Sequence, residues 1–224
     1  MINWHPDEAT LLAYSSGTLS TPYAVCVSSH LHYCPHCRAA YDSLNALAAT
    51  VLEDAEMADV SDSLLDETLS LLDEDLSPVE TVQKQQALAT NYPPAVAKLL
   101  GEDHEGRWKW RWPKLRVIDL AADGKTTLSL YKISPGGKMP THEHRGEELT
   151  LVLEGSFSDS YGTYRKGDVV VRQENERHAP IASQSEDCIC LVLENATPSF
   201  SGFPGKIIDT AQKWFGPSSQ SSQR

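Results

Sequence analysis

Three residues near the start of the chain have the types and spacing of a metal site. His30, Cys34 and Cys37 follow the pattern H-x3-C-x2-C. If one helix ends near His30 and the next begins at Cys34, the three side chains lie about one turn apart and face one point. Zinc takes four such ligands, and His5 is the best candidate for the fourth because it would tie the chain start to the helix pair. We predict a closed structural zinc site; the alternative is two buried free cysteines beside unrelated histidines.

A second set of possible ligands begins about a hundred residues later. His142, His144 and Glu148 form H-x-H-x3-E, and His178 follows after a gap. If the first three lie on one strand, Glu148 points with the two histidines and its neighbour Glu147 points the other way, toward solvent. Imidazoles with a carboxylate are typical of an open site for zinc or another divalent metal.

Glycines around this second set extend the pattern. G-x5-H-x-H-x3-E-x6-G, from Gly136 to Gly155, resembles the first cupin motif, and Gly167 followed by ten residues and His178 resembles the second. Asn175 replaces the usual inner glycine of the second motif, and asparagine tolerates the left-handed backbone needed there. The resemblance implies a metal-binding β-barrel; a cupin that has lost its metal is the alternative.

The formal net charge of −12 is unevenly distributed. Residues 1–76 contain thirteen Asp and Glu and a single basic residue, Arg38, whereas the remaining residues balance to zero. An acidic surface repels nucleic acid phosphates and attracts a basic protein partner. A merely soluble helical surface is the alternative interpretation.

Length and composition limit the protein class. A chain of 224 residues with 40% hydrophobic residues suits two globular domains. No stretch approaches the roughly 20 apolar residues of a membrane helix, and the acidic start is unlike a signal peptide, so we expect a cytoplasmic protein without membrane contact. Five cysteines, two of them in ligand spacing, do not indicate a disulfide framework.

Hydrophobic periodicity predicts an α+β protein with two domains. Apolar residues recur at helical spacing in four short segments up to about residue 72, and from about Trp108 the period becomes that of strands. A polar stretch with several prolines, residues 77–94, is the predicted linker. We predict a zinc-bound helical bundle in residues 1–90, a cupin-like all-β barrel in residues 91–216 and a disordered tail in residues 217–224.

The chain resembles the ChrR-type zinc-binding anti-sigma factors along nearly its whole length. The residues that carry the resemblance are His5-Pro-Asp-Glu-Ala, Ala13-Tyr14 with Gly17-Thr-Leu-Ser20, His30-x3-Cys34-x2-Cys37-Arg38, His144-Arg-Gly-x-Glu148-Leu-Thr-Leu-Val-Leu-x-Gly155 and Asp187-Cys-Ile-Cys-Leu191. The resemblance implies that the helical domain holds an extracytoplasmic-function sigma factor away from core RNA polymerase. It also implies that the cupin domain responds to singlet oxygen or a related oxidant and releases the sigma factor.

The resemblance assigns both ligand sets. It implies zinc on His5, His30, Cys34 and Cys37 and a second metal, commonly zinc, on four residues of the barrel. Those four are His142, His144, Glu148 and His178.

Other features allow further functions. Cys188 and Cys190 alternate on one strand face and could be oxidised, although such an apolar run is more often barrel core. Three tryptophans, in residues 108–112, are predicted on one strand face, and with interleaved basic residues they could bind single-stranded nucleic acid. Because the chain is acidic, we favour packing and expect no direct nucleic acid binding.

An enzyme is the main alternative class. Three histidines and a glutamate in a cupin can hold iron, manganese or nickel and catalyse dioxygenation or isomerisation. No acid/base pair stands out, and an enzyme does not need the acidic zinc-binding module, so we favour a regulator.

Overall fold

An N-terminal helical part and a C-terminal β-barrel make up the described chain, which confirms the predicted fold class. The computed structural model describes residues 2–73, 92–102, 104–124, 126–195 and 199–200. The helices are α1 (Glu8–Ser15), α2 (Thr21–Tyr33), α3 (Pro35–Glu53), α4 (Leu64–Asp73) and α5 (Pro94–Leu100). Most of the predicted linker and the whole predicted tail fall outside the described residues, and the boundary at residue 90 stays a prediction.

The first three helices begin where the local sequence favours a helix start. Asp7 caps α1 by accepting a hydrogen bond from the backbone N–H of Thr10 at 2.7 Å. Pro22 and Pro35 lie in the first turns of α2 and α3, where the missing N–H leaves no bond unmade. No helix among the described residues has the length and apolar character needed to cross a membrane.

Twelve short strands form the barrel, and every pairing between them is antiparallel. They are β1 (Lys109–Trp112), β2 (Leu115–Asp123), β3 (Thr126–Ile133), β4 (His142–Glu143), β5 (Glu148–Glu154), β6 (Ser156–Ser158), β7 (Thr163–Arg165), β8 (Val169–Arg172), β9 (Arg177–His178), β10 (Ile181–Ala182), β11 (Cys188–Glu194) and β12 (Ser199–Phe200). The largest sheet has the order β1-β2-β3-β11-β5-β8. Two three-stranded sheets, β10-β6-β7 and β12-β4-β9, complete the barrel.

The central strands β5 and β11 are buried on both faces, which explains their continuous apolar sequences. One face of β11 belongs to a core shared with the helices, through Ile189, Leu191 and Leu193. The other face belongs to the barrel interior, through Cys188, Cys190 and Val192.

Helices α2 and α5 cover the outer face of the large sheet. Cys26 of α2 and Val96 and Leu100 of α5 are buried in the same cluster as the sheet leucines. Burying one such leucine stabilises the fold by roughly 1.5 to 3 kcal/mol. The helical part and the barrel therefore share a hydrophobic core, and α5, which lies at the end of the predicted linker, is part of it.

The prediction that three tryptophans share one strand face is wrong. The pairing of β1 with β2 shifts register between Trp110 and Trp112, so the side-chain alternation is interrupted there. Trp108 packs on the core shared with the helices, Trp112 packs on the barrel interior, and Trp110 is 67% exposed. The guanidinium of Arg116 lies 5.4 Å from the Trp110 ring centre. A cation of the same chain therefore already covers this ring.

Candidate metal centres

The first centre is built at the junction of α2 and α3. The N–H of Cys34 donates to the carbonyl of His30 at 2.9 Å and ends α2, while the Cys34 sulfur accepts a bond from the N–H of Cys37 at 3.4 Å and caps α3. The His5 Nδ1 lies 3.5 Å from the Cys34 sulfur and 3.3 Å from the Cys37 sulfur. Ligand atoms of all four predicted residues lie within 4.8 Å of one another.

His30 shows that a cation fits this first centre. Its Nδ1 lies 2.8 Å from the carbonyl oxygen of Gly167, which can only accept, so Nδ1 carries the proton. Its Nε2 is buried, has no hydrogen-bond partner among the described residues and therefore offers a lone pair. Burial, with the neighbouring Cys34, raises the pKa of Cys37 to about 12, so a thiolate here needs a cation beside it. Two sulfurs and two imidazoles match the donor set of structural zinc.

The second centre joins three segments of the barrel. His142 on β4 pairs directly with His178 on β9, and their Nε2 atoms are 2.9 Å apart. His144 places its Nε2 3.0 Å from that of His178 and 3.3 Å from a carboxylate oxygen of Glu148. All four side chains are buried, and their ligand atoms lie within 4.8 Å of one another.

The prediction that His142, His144 and Glu148 lie on one continuous strand is wrong. β4 ends at Glu143 and β5 begins at Glu148, with bends at residues 145 and 146 between them. The bends fold His144 inward beside Glu148 without strand alternation. The left-handed backbone expected at Asn175 is present, with φ of 67°, and the N–H of Asn175 donates to the carbonyl of His144 at 3.0 Å.

Contacts behind the barrel ligands aim their nitrogens at a common point. The Nδ1 of His142 lies 2.9 Å from the carbonyl of Pro140, which fixes the proton on that nitrogen. The Nδ1 of His178 lies 3.4 Å from a carboxylate oxygen of Asp159, a residue that the sequence motifs do not indicate. The Nε2 atoms of His142 and His178 then face each other with their lone pairs, and a bound cation stabilises this arrangement. The donor set suits zinc or another divalent metal.

A small cavity of about 30 Å³ adjoins this second centre. Its walls include the ligands His142, Glu148 and His178, with Cys190 among the otherwise mostly apolar lining. A space of this size holds one or two water molecules. The centre is therefore open to a small molecule inside a closed barrel.

The two cysteines of β11 are packed in the barrel interior. Cys188 and Cys190 are 0% and 2% exposed, and their sulfurs are 3.6 Å apart. The hydrogen bond with Cys188 and burial raise the pKa of Cys190 well above that of an ordinary thiol. At neutral pH Cys190 is therefore a thiol and not a thiolate, and both side chains are part of the barrel core.

The expectation that Glu147 faces solvent is wrong. Its carboxylate accepts hydrogen bonds from the hydroxyl of Tyr23 on α2, at 2.5 Å, and from the amide of Gln173, at 3.2 Å. The amide of Asn195 also donates to the Tyr23 oxygen at 2.8 Å. Glu147 points away from the second centre, as predicted, but toward the helical part of the chain.

Acid is expected to destabilise the metal-free protein through the buried histidines. Burial lowers the pKa of His30 and His144 to about 4 and that of His178 to about 3, against about 6.5 for an unfolded histidine. Between about pH 6.5 and 4 the unfolded chain binds protons that the folded chain does not, so the free energy of unfolding falls as pH falls. Burial lowers the pKa of His142 as well. Burial raises the pKa of Glu148, and that of Glu194 to about 8, so two carboxyls oppose the trend of four imidazoles.

Urea unfolding of the chelator-treated chain at about pH 7 and about pH 5 measures this effect. We expect a lower midpoint at the lower pH, and an equal or higher midpoint would contradict the buried neutral state. Metal affinity should fall over the same range because protons compete for the same nitrogens.

Comparison with known proteins identifies the family. Residues 102–198 match the family described as ChrR Cupin-like domain. Over 208 residues the chain is 31% identical to the Anti-sigma-E factor ChrR of Cereibacter sphaeroides, an alignment that covers 92% of this chain and 96% of that protein. This chain belongs to the ChrR family.

A solved structure of a ChrR protein supports the same fold. The crystal structure of Rhodobacter sphaeroides SigE in complex with the anti-sigma ChrR contains a chain that is 31% identical and aligns with a TM-score of 0.75. The alignment covers 87% of this chain and the whole of that one. The likeness therefore extends over both the helices and the barrel of this ChrR-family protein.

Proposed function

We propose that this chain is an anti-sigma factor. Its helical part binds an extracytoplasmic-function sigma factor and keeps it from core RNA polymerase, and its barrel governs release. The end-to-end match to a curated anti-sigma factor, 31% identical over 92% of the chain, carries this proposal. The physical features of the helices support it independently.

An apolar face on α3 and α4 offers a surface for the partner. We call it the α3–α4 face; it consists of large apolar side chains that are 44% to 76% exposed. They are Leu47, Val51, Leu52, Leu64, Leu65, Leu69 and Leu71. Exposed apolar side chains on amphipathic helices are typical of protein interfaces. The sequence of residues 1–76 carries a formal charge of −12, which favours a partner with a basic surface, such as a protein that binds DNA and polymerase.

Zinc at the first centre organises this binding module. Thiolate ligands select zinc among the common divalent metals, and no open ligand position remains beside two cysteines and two histidines. The four residues tie the segment before α1 to α2 and α3. We propose that zinc at this centre contributes much of the folding free energy of α1 to α3.

The second centre suits a role in sensing. Zinc or another divalent metal on His142, His144, Glu148 and His178 would lie beside the small cavity, where a reactive oxygen species can enter. We propose that singlet oxygen or a related oxidant acts here and leads to release of the sigma factor. Cys188 and Cys190, with adjacent sulfurs, are further candidates for oxidation.

A metal-dependent oxygenase or isomerase is the alternative function, and the cavity weighs against it. Pockets for organic substrates usually enclose roughly 300 Å³ or more. The space beside the second centre is about 30 Å³. The space therefore favours water or a small oxidant over an organic substrate.

Coexpression with the extracytoplasmic-function sigma factors of the same genome tests the proposed function. We expect a one-to-one complex that carries metal and excludes core polymerase. A folded, metal-loaded chain that does not bind any extracytoplasmic-function sigma factor of its own genome would contradict the proposal. Metal-dependent turnover of a small molecule would then support the alternative.

Charge placed on the α3–α4 face should weaken the complex. Leu65→Asp with Leu69→Asp puts two carboxylates into the proposed apolar contact, and we expect the Kd for the sigma factor to rise at least about tenfold. Both side chains are exposed, so the fold itself should be unaffected. Trp110→Asp is the matched control, because Trp110 and Leu65 are both 67% exposed. Equal loss of affinity in the control would show that the effect is not specific to this face.

A further inference from the structure

A buried carboxylate stands directly behind the second centre. The Asp159 side chain is 0% exposed and accepts a hydrogen bond from Arg172 Nη2 at 2.9 Å. It also lies 3.4 Å from Nδ1 of His178 and accepts from the hydroxyl of Tyr164 at 3.2 Å. Two backbone N–H groups of the following loop donate to it as well. Both oxygens of Asp159 are therefore held in place by hydrogen-bond donors, one of them the guanidinium of Arg172.

Tyr164 connects this carboxylate to the start of the chain. Its hydroxyl accepts a bond from Arg172 at 2.6 Å, and its fully buried ring meets the ring of Trp4 edge-on, with centres 5.3 Å apart. Trp4 directly precedes His5, a ligand residue of the first centre. The two centres are thus linked through the buried Tyr164 ring, the 41% exposed Trp4 ring and the peptide bond from Trp4 to His5.

The backbone at Trp4 is held firmly on the barrel. The N–H groups of Asn3 and Trp4 donate to one oxygen of Asp168 at 2.8 and 3.2 Å. The N–H of Val169 donates to the carbonyl of Trp4 at 3.1 Å, as in a strand pairing. The backbone of this segment is fixed to the barrel and continues directly into His5. A shift of the Tyr164 ring therefore acts on the segment that holds His5.

We propose that Asp159 is a positioning residue for the second metal centre, and that the Asp159–Tyr164–Trp4 contacts couple that centre to the first. Asp159 fixes the proton of His178 on Nδ1 and orients its Nε2. A displacement of His178 removes one partner of Asp159, changes the position of Tyr164 and alters how His5 is held. This inference rests on the metal occupancy proposed above, but not on the identity of the protein partner.

The second centre alone tests the positioning role. Carboxylates behind a metal-bound histidine typically contribute about 10- to 100-fold in metal affinity. For Asp159→Asn in the purified full chain, we expect a loss in this range for the barrel metal, measured by competition with a chelator of known affinity. Asp119→Asn is the control, since the Asp119 side chain is 55% exposed and its described partners, Lys109, Arg111 and Ser129, include no ligand.

Cobalt provides a separate readout of the first centre. Among the two ligand sets only the first contains sulfur, so thiolate-to-cobalt absorption reports the Cys34 and Cys37 centre alone. The measured quantity is the rate at which this absorption decays in excess chelator. Asp159 is distant in sequence from both sulfur ligands. We expect Asp159→Asn to speed the decay at least about fivefold, which is the lower range of typical coupling between two sites.

Two further variants locate the path. Trp4→Leu removes the ring contact with Tyr164 while the backbone bonds at Trp4 remain, and Tyr164→Phe keeps the ring contact but removes the hydroxyl that reaches Asp159. In either background, Asp159→Asn should add little to the decay rate, since the effects of substitutions at neighbouring positions of one path are not additive. Tyr23→Phe, which removes the separate contact with Glu147, should leave the decay unchanged.

The outcomes separate the two levels of inference. If the wild-type chain binds no metal at the second centre, both the proposed occupancy and the proposed coupling are refuted. If it binds metal with an affinity that Asp159→Asn does not change, only the positioning role falls. If Tyr23→Phe speeds the decay as much as Asp159→Asn, the specific path is overturned in favour of general loosening between helices and barrel.

Discussion

Replacing Cys34 and Cys37 with serine is expected to remove the metal from the first centre and abolish sigma-factor binding. Both side chains are buried, and a neutral serine hydroxyl does not replace a thiolate ligand. Structural zinc contributes roughly 10 kcal/mol or more in small zinc-binding folds, which exceeds what the few buried apolar residues around this centre supply. Without it, α1, α2 and α3 lose the point that joins them. Metal content, helical circular dichroism and copurification with the sigma factor measure the result.

The barrel should survive this change, because most of its interior core is separate from the residues of the first centre. We therefore expect the variant to lose one metal equivalent and keep the other. Cys26→Ala is the matched control: Cys26 is a fully buried cysteine of α2 outside the ligand cluster. If the double serine variant still held the sigma factor at wild-type affinity, the first centre would not organise the binding surface.

Removing ligands of the second centre is expected to have the opposite phenotype. His142→Ala or Glu148→Ala should abolish metal binding in the barrel, while the complex with the sigma factor still forms. The α3–α4 face contains no barrel residue, so inhibition should persist. Release of the sigma factor by oxidant should be blunted, because the proposed target is gone. Metal content and oxidant-induced release from the purified complex measure both effects.

Glu143→Gln is the control for these ligand variants. Glu143 follows His142 on β4 but forms an outward ion pair with Arg177 at 2.8 Å, away from the ligand cluster. It should change neither metal content nor release. Constitutive release by the ligand variants would contradict the proposed division of roles, since it would mean that the barrel metal is required to hold the sigma factor.

Local spacing indicated three candidate ligands of the first centre. His30, Cys34 and Cys37 lie within one helix–turn–helix segment, where positions one turn apart face the same side whatever the rest of the chain does. The helix starts at Thr21 and Pro35 have an equally local cause, because a proline favours a helix start within the same turn. The left-handed backbone at Asn175 was expected from its place in the second cupin motif and from a residue type that tolerates it.

Tertiary structure decided what surrounds the ligands. His30 meets the Gly167 carbonyl across 137 sequence positions, and Tyr23 meets Glu147 across 124, so no local pattern encodes either contact. Asp159 lies in no ligand motif, and only folding of the barrel brings it behind His178. Spacing along the chain thus indicated candidate ligands, whereas tertiary contacts of His30 with Gly167 and of Trp4 with Tyr164 decided how both ligand sets are held on the barrel. Contacts within a turn depend on backbone geometry alone, and contacts between distant segments depend on which surfaces are buried together.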